Sequence, residues 1–353
     1  METPLNPKFP SRKLLDWFKL NARPLPWRVK YDPYEVVVSE FMLQQTQVVT
    51  MLPYYERWTR HFPDWNALAR AEENSVMRLW AGLGYYQRAH RLLALARQVS
   101  ASHGGVLPDD LDTLRALPGV GPYTAASIAS IAFNLPALPI DGNIRRVWTR
   151  ISADPEVSPS TQQDQRLINQ LEPELARTRK RREWVQALME LGALVCTPRQ
   201  PKCGDCPLAQ VCRAHQTQRE HDFPVKAKSQ RPKPLHISFA WIESKKGRVL
   251  LRQRDDKGRF PGMWEPPTSE CETFELSIEA LQAKLPYHAL KSDEPFRRDF
   301  TSFKVTWHPH RLSGVEEKKT EGYEWLECAE VSQLNLIPVL AKDWMKHATV
   351  LPE

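Results

Sequence analysis

Cys196, Cys203, Cys206 and Cys212 fall within seventeen residues at the spacing C-x6-C-x2-C-x5-C, and no other feature limits the fold of this chain as strongly. The chain opens Met1-Glu-Thr-Pro-Leu-Asn-Pro-Lys, which does not read as a secretory leader and predicts a compartment where thiols stay reduced. Four thiols so close in sequence are then expected as ligands of a structural metal or iron–sulfur centre. Spacing alone leaves tetrahedral zinc and iron–sulfur equally open, since the x6 gap matches neither the common zinc ribbons nor the ferredoxin runs. The surrounding segment is basic. Residues 196–234 carry eight Lys and Arg against three acids, which accounts for most of the chain's net +7 and favours a polyanionic partner.

At 353 residues the chain exceeds one typical core, and its patterning predicts two domains. Residues 1–212 read as mainly α, with apolar residues at three- and four-residue steps in eight stretches from Leu14–Leu20 to Trp184–Val195, interrupted often by Pro and Gly. Many short helices crossing in an orthogonal bundle are expected. Residues 213–234 turn polar and basic and read as a linker. Residues 235–353 alternate in His236–Glu243, Arg248–Arg254, Phe300–His308 and Tyr323–Leu326, with helical patterns near 275–284 and 338–347, which predicts a small α+β domain. No apolar run approaches the roughly 18 to 20 residues of a membrane span. A soluble protein of the cytoplasm is expected, at the nucleoid if the cell is bacterial.

Between two helical patterns lies Leu117-Pro-Gly-Val-Gly-Pro-Tyr-Thr-Ala-Ala126. Gly119 and Gly121 can take positive φ and present bare backbone, while the helix starting near Tyr123 offers unpaired N–H groups to an anion such as a phosphate. A tight turn with no ligand is the simpler reading of the same letters. Two acids stand where a carboxylate is costly. Glu40 interrupts Val36–Leu43, and Asp141 closes the apolar run Ile131–Ile140. Each has a plain structural explanation, since Asp141 suits a helix N-cap and Glu40 can pair with an arginine such as Arg28. Near one anion-binding hairpin, however, paired carboxylates are what cleavage of a glycosidic bond through an oxocarbenium-like state requires.

Taken in order, Leu25-Pro-Trp-Arg28, Ser39-Glu-Phe-Met-Leu-Gln-Gln-Thr-Gln47, Trp80-Ala-Gly-Leu-Gly-Tyr-Tyr86, Leu117–Ala126, Ile140-Asp-Gly-Asn-Ile-Arg-Arg146 and the cysteine array resemble the adenine DNA glycosylase (MutY) branch of the endonuclease III, helix-hairpin-helix superfamily. The resemblance covers residues 11–212. It implies a helix-hairpin-helix glycosylase fold, a base-excision repair enzyme that hydrolyses N-glycosyl bonds, and a [4Fe–4S] cluster on the four cysteines. The implied partner is double-stranded DNA carrying adenine opposite 8-oxoguanine or guanine, bound by a monomer.

By the same resemblance Glu40 is the general acid that protonates N7 of a flipped-out adenine, and Asp141 stays ionised against the deoxyribose C1′. Asn143 orients the catalytic groups or water, and Tyr123 hydrogen-bonds to the acids. Arg23, Leu25, Trp27, Arg28 and Gln186 line the adenine pocket. Gln45 and Tyr85 wedge into the duplex, while Gly119 and Gly121 lie on phosphate. Members that also nick the strand carry Lys where this chain has Tyr123, so a glycosylase without a lyase step is implied. The rest of the chain resembles the family's Nudix-like lesion-recognition domain, through Arg248–Arg254 and Gly262-Met-Trp-Glu-Pro-Pro267, but has no acidic Nudix box. Where the family carries Phe-Ser-His against 8-oxoguanine, this sequence has Phe300-Thr-Ser302, which leaves the hydroxyls of Thr301 and Ser302 without the imidazole. Two other readings are a glycosylase–lyase for oxidised pyrimidines, opposed by Tyr123, and a non-catalytic iron–sulfur DNA-binding protein, opposed by Glu40 and Asp141. Cys271 and Cys328 read as free thiols.

Overall fold

The computed structural model describes residues 9–227, 232–255, 262–287, 289–298, 303–331, 334, 336–337 and 344–345. The chain divides into two compact units, Met1–Ser229 and Gln230–Glu353. The first holds twelve helices among its described residues: α1 (Ser11–Asn21), α2 (Pro33–Leu43), α3 (Val48–His61), α4 (Trp65–Ala69), α5 (Glu73–Trp80), α6 (Gln87–His103), α7 (Leu111–Ala116), α8 (Pro122–Ile131), α9 (Gly142–Ser152), α10 (Thr161–Arg177), α11 (Arg181–Leu194) and α12 (Arg213–Gln216). Side chains cap the start of several of them. Asp32, Asp64, Asp110, Asp141 and Ser160 each accept a backbone N–H from the first turn of the helix that follows. α10 lies outside the predicted helical stretches. Its buried side is one narrow stripe of Gln163, Leu167, Leu171 and Leu175, too sparse to stand out from a polar sequence.

Two apolar cores organise this unit. One packs α2, α3, α5, α6 and α8 around Val37, Phe41, Trp58, Trp80, Leu92 and Ile128. The other packs α1, α9, α10 and α11 around Leu14, Trp148, Leu171, Trp184 and Leu188, and extends to Cys212. Met189 packs against both, which places α11 at their seam. α2 and α8 are buried almost all round, from Val36 to Met42 and from Thr124 to Ile131, so any polar side chain on them is held in a dry setting.

The segment read as a linker is folded as far as Lys226. It forms α12, a turn at Glu220–Asp222 and a strand β2 (Val225–Lys226) that pairs in parallel with β1 (Val157–Ser158). Phe223 is buried in the second core, and the Arg150 guanidinium donates to the carbonyls of Glu220 and Phe223. A few anchors thus outweigh the polar composition that suggested a linker.

The second unit is built on a mixed sheet of β3 (Lys233–Ser244), β4 (Arg248–Gln253), β5 (Trp264–Glu265), β6 (Thr268–Cys271), β7 (Lys291–Ser292), β8 (Phe296–Arg297), β9 (Phe303–Val315) and β10 (Glu324–Glu327). The main order is β10-β4-β3-β9-β7, with β3 and β9 parallel and the remaining pairs antiparallel. Helix α13 (Phe274–Ala283) packs on β3 through Leu281, which joins Ala240 and Ile242 in one core, and a one-turn α14 (Cys328–Val331) follows β10. The strand predicted over Phe300–His308 is described from Phe303 and continues to Val315. Phe300, Thr301, Ser302 and, apart from residues 344 and 345, the helical pattern at 338–347 lie outside the described residues. Among the described residues no helix is long and apolar enough to cross a membrane.

Candidate active site

A cavity of about 630 Å³ opens where the two cores of the helical unit meet. Glu40 reaches it from α2, Tyr123 from the first turn of α8, Asp141 and Asn143 from the start of α9, and Gln186 from α11. Arg23, Leu25, Trp27 and Arg28 line it from the segment after α1, and Gln45 from the connection between α2 and α3. Side chains separated by more than a hundred residues in sequence therefore face one space, large enough for a nucleotide-sized ligand.

The two acids sit in different surroundings. Glu40 is only 7% exposed, and burial on the apolar α2 pushes its pKa up to about 7, aided by the nearby Asp141 charge, while the hydroxyls of Ser127 and Tyr123 act in the opposite direction. Asp141 is also raised by burial, but its oxygens are met by donors. Oδ1 accepts the Ile144 N–H at 2.7 Å as the N-cap of α9, Oδ2 accepts from Asn143 Nδ2 at 2.8 Å, and the Arg146 charge favours the ionised form. One carboxyl is therefore half-protonated near neutral pH, and the other has hydrogen bonds that favour its anion.

Four charged residues shape the site that the sequence reading did not single out. Glu190 is 1% exposed, and Arg23 Nε donates to its Oε1 at 2.6 Å while Arg28 Nη2 donates to its Oε2 at 3.0 Å. Burial alone would raise the Glu190 pKa, but the two guanidinium groups hold it down to about 2. Arg28, offered as a partner for Glu40, is engaged here instead, and its Nε also donates to Gln186 Oε1 at 2.8 Å. On α9, Arg146 Nη2 donates to Asn143 Oδ1 at 2.8 Å and to the Gly192 carbonyl at 2.7 Å, and its Nε donates to the Cys196 carbonyl at 2.8 Å. One turn later Arg150 is 2% exposed and donates to the Thr197 and Pro198 carbonyls.

Arg88 is the fourth. It is 5% exposed, and its guanidinium donates to the carbonyls of Phe41, Met42 and Gln44 on one side and of Leu83 and Gly84 on the other, at 2.6 to 3.3 Å. These bonds tie the end of α2 to the loop before α6. Gln45 and Tyr85, the two expected wedges, project from these segments with φ of 58° and 51°, and both are exposed. Tyr85 does not line the cavity; its ring lies over the Arg88 guanidinium at 5.5 Å. Arg on a helix reads as an exposed charge by default, and the usable signal was its place directly after Gly-Leu-Gly-Tyr-Tyr-Gln, where loop carbonyls gather.

In the hairpin, Gly119 has φ of 75°, and a Cβ there would lie 2.8 Å from Arg91 Cβ. Gly121 differs from expectation: it is extended at φ −82°, the N-cap of α8, with open space where a Cβ would point. Positive φ is thus required once, and bare backbone at Gly121 leaves the helix start accessible. Gly192 is constrained by packing. A Cβ there would fall 2.5 Å from Asn143 Cβ, so Gly192→Ala is expected to displace Asn143 and to cost about 1–3 kcal/mol by overpacking, measured by thermal denaturation.

The four cluster cysteines surround one small cavity with Arg150, His215 and Glu220. Burial, then the hydrogen bond to Glu220 and its charge, pushes the Cys203 pKa up to about 11, while burial and the neighbouring thiols push that of Cys206 up to about 12, and burial raises Cys212. Four such thiols ionise together only around a cation. Backbone N–H groups of Leu208, Ala214 and His215 point at Cys206 and Cys212, and Arg150 Nη1 lies 3.3 Å from Cys196 Sγ. Thiolates with N–H donors to sulfur fit an iron–sulfur centre.

Residues 38–173 match the family model described as HhH-GPD superfamily base excision DNA repair protein, residues 196–212 the iron-sulfur binding domain of endonuclease III, and residues 238–345 the NUDIX domain. The chain is 38% identical over 380 residues to the adenine DNA glycosylase of Mus musculus, covering 90% of this chain and 73% of that one. To the adenine DNA glycosylase of Buchnera aphidicola subsp. Baizongia pistaciae it is 31% identical over 246 residues, 69% of each chain. Among solved structures, a thermostable thymine-DNA glycosylase aligns with a TM-score of 0.52 and 26% identity over 59% of this chain and 95% of that one. A trapped endonuclease III–DNA covalent intermediate aligns with a TM-score of 0.50 and 21% identity over 62% and 99%, a likeness of fold.

Proposed function

The chain belongs to the adenine DNA glycosylase family, enzymes of base-excision DNA repair, and from that premise we propose that it is a monofunctional, monomeric enzyme releasing adenine mispaired with 8-oxoguanine or guanine. DNA is its partner, and the four cysteines hold an iron–sulfur cluster, of the [4Fe–4S] type in this family. The observation that carries the substrate reading is the convergence of Glu40 and Asp141 on one nucleotide-sized cavity, where burial raises Glu40 to about 7 while hydrogen bonds from Ile144 and Asn143 favour the Asp141 anion. Protonated Glu40 gives its proton to N7 of the extruded adenine, so the electrons of the breaking C1′–N9 bond pass into a cationic ring that departs as neutral adenine, and water then bonds to C1′. The Asp141 carboxylate, held by Ile144 N–H and Asn143, faces the positive charge that develops at C1′. Arg23, Leu25, Trp27, Arg28 and Gln186 enclose the base, Gln45 and Tyr85 fill the duplex it leaves, and Gly119 and Gly121 meet the backbone phosphates. The cluster orders the basic segment that follows α11, and the Arg146 and Arg150 side chains join that segment to α9. In the second unit, Thr301 and Ser302 are proposed to contact 8-oxoguanine, and a Nudix-like fold without the acidic box is proposed to recognise rather than hydrolyse.

Base release from duplexes pairing adenine with 8-oxoguanine, guanine or cytosine tests this reading. Strand breaks are expected only after alkali, because Tyr123 supplies no Schiff-base amine; breaks without alkali would favour the glycosylase–lyase alternative. The single-turnover rate is expected to fall about tenfold per pH unit above about 7, as Glu40 loses the proton it must deliver. A rate that stays flat to pH 9 would remove Glu40 from that role.

A further inference from the structure

We propose that Glu220, held by His215, is a reserve ligand for the iron at the Cys203 corner of the cluster. The geometry is specific to that corner. One donor atom from each of Cys203, His215 and Glu220 lies within 4.8 Å of the others, and His215 Nδ1 is 2.6 Å from Glu220 Oε1. The Glu220 side chain is 15% exposed and lines the cluster cavity beside all four sulfurs. The Cys203 thiol donates to the Glu220 carboxylate, so this carboxylate already meets the sulfur that would bind iron, and iron accepts oxygen and nitrogen donors as well as sulfur. The pairing with His215 fixes which way the carboxylate points, as hydrogen-bonded carboxylates do around bound metals. The backbone supports the placement, since Arg150 Nε donates to the Glu220 carbonyl at 2.9 Å from the same helix that contacts Cys196.

If Cys203 is removed, a Glu220 oxygen donates its lone pair to the vacated iron, with no change of oxidation state and no group transferred. The other corners have different neighbours: Cys206 faces the Leu208 amide and its fellow thiols.

The test is iron and acid-labile sulfide counted per purified full-length chain, with the visible charge-transfer absorption of the cluster. Cys203→Ala is expected to keep four irons, Cys203→Ala/Glu220→Gln to fall to three or fewer, and Cys206→Ala to fall with Glu220 intact. Equal retention in Cys203→Ala with and without Glu220→Gln would overturn the proposal, as would loss from Cys203→Ala equal to that from Cys206→Ala. Where Cys203→Ala is insoluble, the protein with all four cysteines decides instead. Ferricyanide-driven loss of iron is then expected to be at least threefold faster in Glu220→Gln and His215→Ala than in the parent chain, and equal rates would overturn the proposal. A parent chain devoid of iron and sulfide would overturn the cluster assignment and this inference with it, a result distinct from the others.

Discussion

Glu40→Gln is expected to reduce adenine release by roughly 10²–10⁴-fold while leaving the affinity for mismatched duplex within a few fold, because the amide keeps the shape of the carboxyl and has no proton to give. The measurement is a single-turnover rate beside a direct binding titration. A second consequence has the opposite sign. Glu40 titrates near 7 when folded against 4.5 when free, so between those values the folded chain holds more protons than the unfolded one. Stability from the protonated form is complete below about 4.5 and is lost as pH rises through about 7. At about 1.4 kcal/mol per unit this amounts to something on the order of 3 kcal/mol. Glu40→Gln is therefore expected to raise Tm by several degrees at pH 8 and hardly at all at pH 4.5. Loss of catalysis without that gain would mean that the carboxyl is not held in a dry setting.

Asp141→Asn is expected to lower the rate by about 10²–10³-fold, through loss of the negative charge proposed to face C1′. The fold should hardly notice, since Asn caps a helix about as well as Asp and the amide oxygen can still accept the Ile144 N–H. The informative comparison is with Glu40→Gln. The Asn variant is expected to keep the fall in rate above pH 7, since Glu40 still titrates, although its midpoint should move down once the neighbouring charge is gone. A variant that melts well below the parent would instead assign Asp141 to capping alone.

Much of this site was readable in the sequence because its residues break a pattern. Glu40 is a charge inside Val-Val-Val-Ser-Glu-Phe-Met-Leu, and Asp141 ends an apolar run just where a helix must start. The cysteine spacing and the Gly-Val-Gly turn are likewise local, and each residue's neighbours state its burial. What could not be read is carried by partners far away in the chain. Glu190 looks like one more acid on a helix until Arg23 and Arg28 are seen to meet it across more than 160 residues. Arg146 and Arg150 look like a solvated face, yet they bind carbonyls some fifty residues on. The stretch read as a linker is folded as far as Lys226 for the same reason, since Phe223 and the Arg150 contacts that hold it are tertiary. Gly121 shows a subtler limit: a glycine's letter gives its freedom, and only the backbone shows whether the freedom is used.

Arg88 closes both segments that carry Gln45 and Tyr85, and this makes the two proposed wedges a single mechanical part. A change in the length of either loop withdraws carbonyls from the shared guanidinium and so disturbs the other. Attempts to retune which opposing base is tolerated would have to vary both loops as one cassette around an unchanged arginine, and libraries that randomise them separately should return mostly inactive clones.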